Sequence, residues 1–204
     1  MLQIDCLVLG DYQVNCYVVR ASDSSRCVVI DPGSEETRIL RFLEERSLTL
    51  DAILLTHGHF DHVGAVKALV MDTDCKLWLS KPDWEQVPSP LTDYLYPLSN
   101  CSFADMAFYK AGQQVQTAGL CFEVLETPGH TWGSVCLRCG DALFTGDTLF
   151  DGSCGRTDLP GGDTKTIQKS LKTLKNIPEN LRIFPGHGTP STLDDQRRYN
   201  PYLR

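Results

Sequence analysis

Three histidines and an aspartate fall within six positions of the stretch LLTHGHFDHVGAV, residues 54–66, directly behind an apolar run. Imidazole nitrogen and carboxylate oxygen are the donors a divalent zinc ion takes in tetrahedral or five-coordinate sites. In an extended backbone His57 and His59 point the same way across Gly58, which makes them a pair for one ion. Asp61 and His62 come at the turn into the next helix and diverge from that pair, toward a second ion nearby. The other two histidines of the chain, His130 in ETPGHT and His187 in IFPGHG, also follow apparent strand ends and a glycine. Glycines there let a tight loop present a side chain without a competing Cβ. His130 and His187 are expected to supply one distant ligand to each ion. Asp147, in LFTGDTLF, is the best candidate for a carboxylate between the two. Taken alone, the His-rich stretch leaves a one-metal or structural site as a lesser alternative, and His130 or His187 alone leaves a loop or capping histidine. Together they suit two metals sharing a carboxylate and a water or hydroxide.

The elements that must position these residues are readable from period and turn residues. Strand patterns occur at 2–9, 14–20 and 27–31. A helix follows, with Ser34 as cap, Glu35 and Glu36 in its first turn, and Ile39, Leu40, Phe42 and Leu43 as its apolar face. A short buried strand at 52–56 leads into the histidines, and 62–70 reads as a helix. Residues 76–79 suggest a strand. The four-proline stretch 82–100 reads as an irregular connection with a helical turn around Trp84. Strands resume at 121–126, 134–139 and 142–145, then a helix at 164–176, a strand at 181–184 and a short helix at 192–199. Each half thus supplies a sheet and helices, which predicts a sandwich with helices outside. With no internal repeat and no linker, residues 1–204 are expected to form one domain.

Composition narrows the classes. A formal net charge of -7 gives no support for nucleic-acid binding. Lys165, Lys169, Lys172 and Lys175 form the densest basic run, on a helix whose other face carries Ile167, Leu171 and Leu174, so a solvated helix face is expected. No segment reads as a membrane span, and MLQIDCLVLG alternates like a first strand and lacks the basic start of a signal peptide. Nine scattered cysteines show no disulfide framework, and reduced thiols in a cytoplasmic protein are the simplest account. CLRC at 136–139 has no second pair and is expected to be strand packing.

THGHFDH at 56–62, PGHT at 128–131, GDTLF at 146–150 and PGHG at 185–188 resemble, in order and spacing, the metallo-β-lactamase fold superfamily. The resemblance implies an α+β fold, a four-layer αββα sandwich with metals at the edge between two sheets. It also implies that His57, His59 and His130 hold one metal, that Asp61, His62 and His187 hold another, and that Asp147 bridges them. GRTD at 155–158, the GGD after it and YNPYL at 199–203 look like the glyoxalase II-like (hydroxyacylglutathione hydrolase-like) hydrolases. The chain stops soon after His187, so it resembles a short, single-domain type without the C-terminal helical region that grips glutathione.

The implied activity is hydrolysis of a small-molecule thioester such as S-lactoylglutathione by metal-bridged hydroxide, with two divalent ions, zinc first and iron or manganese also compatible. Asp61 is expected to orient the nucleophile and accept its proton while acting as a ligand. Asp31, in VVIDPG, either orients a ligand histidine or caps a turn. Arg156 and Asp158 are expected to form a buried loop clamp. Phe60, Trp132 and Phe150 either line a substrate opening or pack loops. Two alternatives share the fold. One is a persulfide dioxygenase with a single iron at the positions of His57, His130 and Asp147, the other a lactonase or other ester hydrolase.

Overall fold

The computed structural model describes residues 1–85 and 89–204. Six strands form the first sheet in chain order: β1 Leu2–Leu9, β2 Val14–Ala21, β3 Arg26–Ile30, β4 Thr49–Leu54, β5 Lys76–Leu79 and β6 Met106–Phe108. The first three pair antiparallel and β3 to β6 run parallel. β7 Gln114–Thr117, β8 Leu120–Glu126, β9 Val135–Cys139 and β10 Ala142–Gly146 belong to the second sheet. A small hairpin, β11 Leu149–Phe150 with β12 Ser153–Cys154, follows. β13 Arg182–Pro185 and β14 Ser191–Thr192 complete the second sheet, in the order β14-β13-β10-β9-β8-β7. The longer helices are α1 Glu36–Glu45, α3 Val66–Thr73 and α6 Thr164–Lys175; α2 Phe60–Val63, α4 Lys81–Trp84, α5 Pro90–Leu95 and α7 Leu193–Tyr199 are shorter.

Three apolar clusters stack these elements into four layers. The period of two in β2 sends Cys16 and Val18 to one face and Tyr17 and Val19 to the other. Cys16 and Val18 join Val29, Ile53 and Leu77 against Ile39 and Leu43 of α1 and Val66 and Leu69 of α3. Tyr17 and Val19 meet Phe122, Val124, Leu137 and Phe144 of the second sheet. The outer face of that sheet, with Cys136, Leu143 and Ile183, is covered by Ile167, Leu171 and Leu174 of α6 and Leu193 of α7. Helix, sheet, sheet, helix is the αββα sandwich expected. At about 1.5–3 kcal/mol per fully buried large apolar side chain, the middle layer is the main clamp between the halves.

Several local expectations change. The helix predicted at 62–70 is two pieces, α2 and α3, because the Ala65 amide donates to the Pro32 carbonyl at 3.0 Å and leaves the helix ladder; the same approach would put a Cβ on Gly64 2.3 Å from the Gly33 carbonyl oxygen. Ser34 caps nothing: Glu35 holds the cap position in a left-handed conformation, φ 55°, and its carboxylate accepts from the Gly10 amide at 2.6 Å. β6 and β7 were not legible, since each is short, carries a weak apolar pattern and forms the edge of its sheet. The stretch 82–100 contains α4 and α5, with 86–88 outside the described residues. The α6 lysines do lie on the face away from the core, Cys136 and Cys139 enter opposite faces of β9, and all nine cysteines are unbridged. Among the described residues no helix is long and apolar enough to cross a membrane.

Parallel strands with crossovers bring several strand ends to one edge of the sandwich. Asp31 follows β3, His57 follows β4, Asp147 follows β10 and His187 follows β13. Backbone hydrogen bonds tie that edge, two of them between the sheets and the third, from Gly186, within the second sheet. The Val135 amide donates to Thr56 O, the Asn15 amide to Gly186 O and the Gly186 amide to Gly146 O, each at 2.8 Å.

Candidate metal centre

All seven residues singled out as metal donors converge at that edge. His57, His59 and His130 form one group whose donor atoms lie within 4.8 Å of one another, and Asp61, His62 and His187 form another. Asp147 lies between the two. Its Oδ2 is 3.5 Å from His130 Nε2 and 3.7 Å from His187 Nε2, and its Oδ1 is 3.4 Å from His62 Nε2. Asp61 Oδ2 lies 3.4 Å from His187 Nε2.

Four of the imidazoles share one arrangement. His130 Nδ1 donates to the Arg156 carbonyl at 2.8 Å, and His187 Nδ1 donates to the Tyr12 carbonyl at 3.0 Å. His62 Nδ1 donates to Asp31 Oδ2 at 3.1 Å. His57 Nδ1 lies 3.1 Å from Thr56 Oγ1, which itself donates to Asp31 Oδ2 at 2.5 Å. With the proton held on Nδ1 by the bond to its acceptor, the neutral ring presents the Nε2 lone pair inward. His59 is turned over, with Nδ1 3.0 Å from His130 Nε2. Asp31 therefore orients His62 directly and His57 through Thr56, and it also accepts from the Thr56 amide at 2.8 Å, a bond across 25 residues and not the cap of its own turn. Thr56 and Tyr12 were missed in the sequence. A hydroxyl beside the first histidine is a faint signal, and a backbone carbonyl is none.

Electrostatics follow from burial and from these neighbours. Burial pushes His57 well below the ordinary imidazole range and His59 down to about 3, with the other imidazoles adding to the effect. Burial also lowers His130, against the pull of Asp147. For His62 burial works the same way but is outweighed by the Asp147 and Asp31 carboxylates, which raise it. Asp147 shows the mirror image: burial would raise it, and the His62 imidazole beside it holds the carboxyl below its usual range. His57, His59 and His130 are thus held as neutral imidazoles beside the ionised Asp147, the protonation states a divalent cation requires, while the carboxylates around His62 and His187 favour a proton there that a bound cation would displace. His57 Nε2, His59 Nε2 and Asp147 Oδ1 are buried with no hydrogen-bond partner in the protein. A buried polar atom left unpaired costs about 1–3 kcal/mol, so three of them in one cluster fit a cation-binding role.

The mouth is partly aromatic. Phe60 packs edge-on against Tyr12 at 5.0 Å and lies 4.8 Å from Tyr94. A cavity of about 320 Å³ opens beside Asp61, lined also by Leu9, Tyr12, Val14 and Phe60. Trp132 is half exposed and leans on Tyr96, and Phe150 lies 6.2 Å from His187. The Arg156–Asp158 clamp exists but is not buried: the two side chains pair at 2.7 Å while 61% and 66% exposed. His130 is held by the Arg156 carbonyl, which any residue supplies. Arg156→Ala is therefore expected to leave metal content unchanged and to move the unfolding midpoint by less than about 2 °C, as checked by elemental analysis and a thermal melt.

A four-layer sandwich carrying a His/Asp cluster of this kind at its edge defines a class of metal-dependent hydrolases. The Metallo-beta-lactamase superfamily pattern matches residues 9–187, and the chain belongs to that superfamily. It is 34% identical over 209 residues to hydroxyacylglutathione hydrolase GloC of Haemophilus influenzae, covering 99% of this chain and 98% of that protein. Among solved structures, BLEG-1 B3 metallo-beta-lactamase superposes with a TM-score of 0.87 at 32% identity, covering 98% of this chain and 99% of its own. TTHA1623, solved in a di-iron-bound form, superposes with a TM-score of 0.83 at 37% identity, covering 98% of this chain and all of its own.

Proposed function

We propose that the protein is a hydrolase with a two-metal centre that cleaves a small-molecule thioester of the S-lactoylglutathione type. The observation that carries this reading is Asp147, whose two carboxylate oxygens face donors of both groups. His57, His59 and His130 would hold one ion, Asp61, His62 and His187 the other, and Asp147 would bridge. When bound, a pair of divalent ions supplies Lewis acidity and a water acidic enough to act as a hydroxide-like nucleophile near neutral pH. Asp61, its carboxyl held below the usual range by the hydrogen bond to His187 against the opposing effect of burial, stays ionised and would orient a nucleophilic water and take up a proton at its carboxylate. The aromatic wall of Tyr12 and Phe60 beside Asp61 gives the substrate an apolar seat that excludes bulk water from one side. A thiolate is a tolerable leaving group, so no dedicated protein acid is needed.

Likeness to a hydroxyacylglutathione hydrolase over nearly the whole chain supports the thioester, and the di-iron relative supports two ions. Zinc is the proposed native pair, with iron or manganese compatible with the same nitrogen and oxygen donors. The reading also takes residues 1–204 as one domain, and nine unbridged thiols fit a cytoplasmic location. The test is metal content per chain without added metal, paired with thiol release from S-lactoylglutathione. About two equivalents with turnover are expected. About one equivalent of iron, no thioester turnover and oxygen uptake with a persulfide would overturn the hydrolase in favour of a mononuclear dioxygenase. Two equivalents with turnover of lactones alone would move the substrate to oxygen esters.

A further inference from the structure

Asp83 is a carboxylate that the chemistry above does not use. It lies in α4, only 3% exposed, and makes no hydrogen bond with its own helix among those observed. Instead it accepts three hydrogen bonds from two distant loops: from the Gly58 amide at 2.9 Å, from the Gly133 amide at 2.7 Å and from Thr131 Oγ1 at 2.8 Å. Gly58 is the residue between His57 and His59. Thr131 is the residue after His130, and Gly133 lies two further on. Packing agrees with the bonding. A Cβ on Gly58 would stand 3.0 Å from the Asp83 Cβ, and one on Gly133 would stand 2.8 Å from Asp83 Oδ1, so both loops approach the carboxylate at backbone distance.

We propose that Asp83 is the positioning residue for the His57, His59 and His130 half of the centre, setting the spacing of the two loops that carry those imidazoles. The inference rests on the reading of the two groups as metal sites. The other half is anchored separately: His62 by Asp31 and His187 by the Tyr12 carbonyl. Loss of Asp83 therefore acts on one half of the centre. Asn is a sharp probe because it keeps size and shape. Its amide nitrogen must face either the Gly133 amide or the Gly58 amide, so at least one loop loses its acceptor in either orientation. Burial pushes Asp83 up to about 6 while the three donors work against that, in line with a carboxylate built into a packed interior.

The experiment reads zinc affinity by competition with a chromophoric chelator in two backgrounds, His187→Ala and His59→Ala, each of which leaves one half of the centre intact. Asp83→Asn is expected to weaken zinc binding about 10–100-fold in the His187→Ala background and to change it by less than about twofold in the His59→Ala background. Equal affinity with and without Asp83→Asn in both backgrounds, or equal weakening in both, would overturn the assignment. If circular dichroism shows that Asp83→Asn does not fold, Thr131→Val, which removes one of the three donors, is read by the same comparison. Failure of either background chain alone to bind zinc would refute the two-group reading itself, an outcome distinct from failure of Asp83.

Discussion

Asp147→Ala will fold, lose one of its two metal equivalents and fall in kcat/KM on a thioester by about 10³-fold, about 4 kcal/mol of transition-state stabilisation. The magnitude follows from where the carboxylate sits. It is the group facing His130 on one side and His62 and His187 on the other, so its loss leaves each triad one donor short and removes the link between them. Folding is expected to survive because the Asp147 carboxylate faces the imidazoles of the cluster at 3.4–3.7 Å and accepts no backbone hydrogen bond among those observed. Elemental analysis and steady-state kinetics of the same preparation check it. Two retained equivalents with turnover near that of the native chain would contradict the bridging role and the proposed function with it.

Gly129→Ala is expected to cost about 3 kcal/mol or more of folding stability, a fall of about 6–12 °C in Tm for a chain of this size. Gly129 sits at φ 128°, a conformation that L side chains rarely adopt. The added Cβ would also meet α6, 2.2 Å from Ile167 N and 2.5 Å from its Cα. Neither neighbour is a side chain that can swing aside, so either the first turn of α6 or the loop carrying His130 must move. The Asp163 amide, just before α6, donates to Gly129 O at 2.9 Å, and that bond would be strained by the same shift. Chemical denaturation of the metal-free chain isolates the folding effect from metal linkage. A loss under about 1 kcal/mol would mean that the turn relaxes freely.

These two residues differ in how they could be found from sequence. Asp147 carries a side chain of the right chemistry behind an apolar strand and a glycine, a local pattern. Gly129 was legible as a loop glycine, but its contact with Ile167 joins residues far apart in the chain. Corrections elsewhere have the same origin. The helix expected at 62–70 is split where the Ala65 amide turns to Pro32 O, and Glu35 takes the cap position with its carboxylate on the Gly10 amide. The Arg156–Asp158 pair was read correctly as a contact, since the partners are two residues apart. Its exposure depended on what packs above that loop.

The amino-acid sequence by itself determined most of the strand-and-helix order and the seven candidate donors near strand ends, because period, turn residues and donor types are local properties of the chain. Only the tertiary structure decided which groups hold those donors in place. Asp31 reaching His62, Tyr12 O reaching His187, and Asp83 drawing Gly58 toward Thr131 and Gly133 are all made across gaps of 25 residues or more. Two of those anchors are ordinary acidic side chains and one is a backbone carbonyl. None has a spacing rule, since a hydrogen bond depends on where the fold brings two atoms and leaves no period in the residues between them.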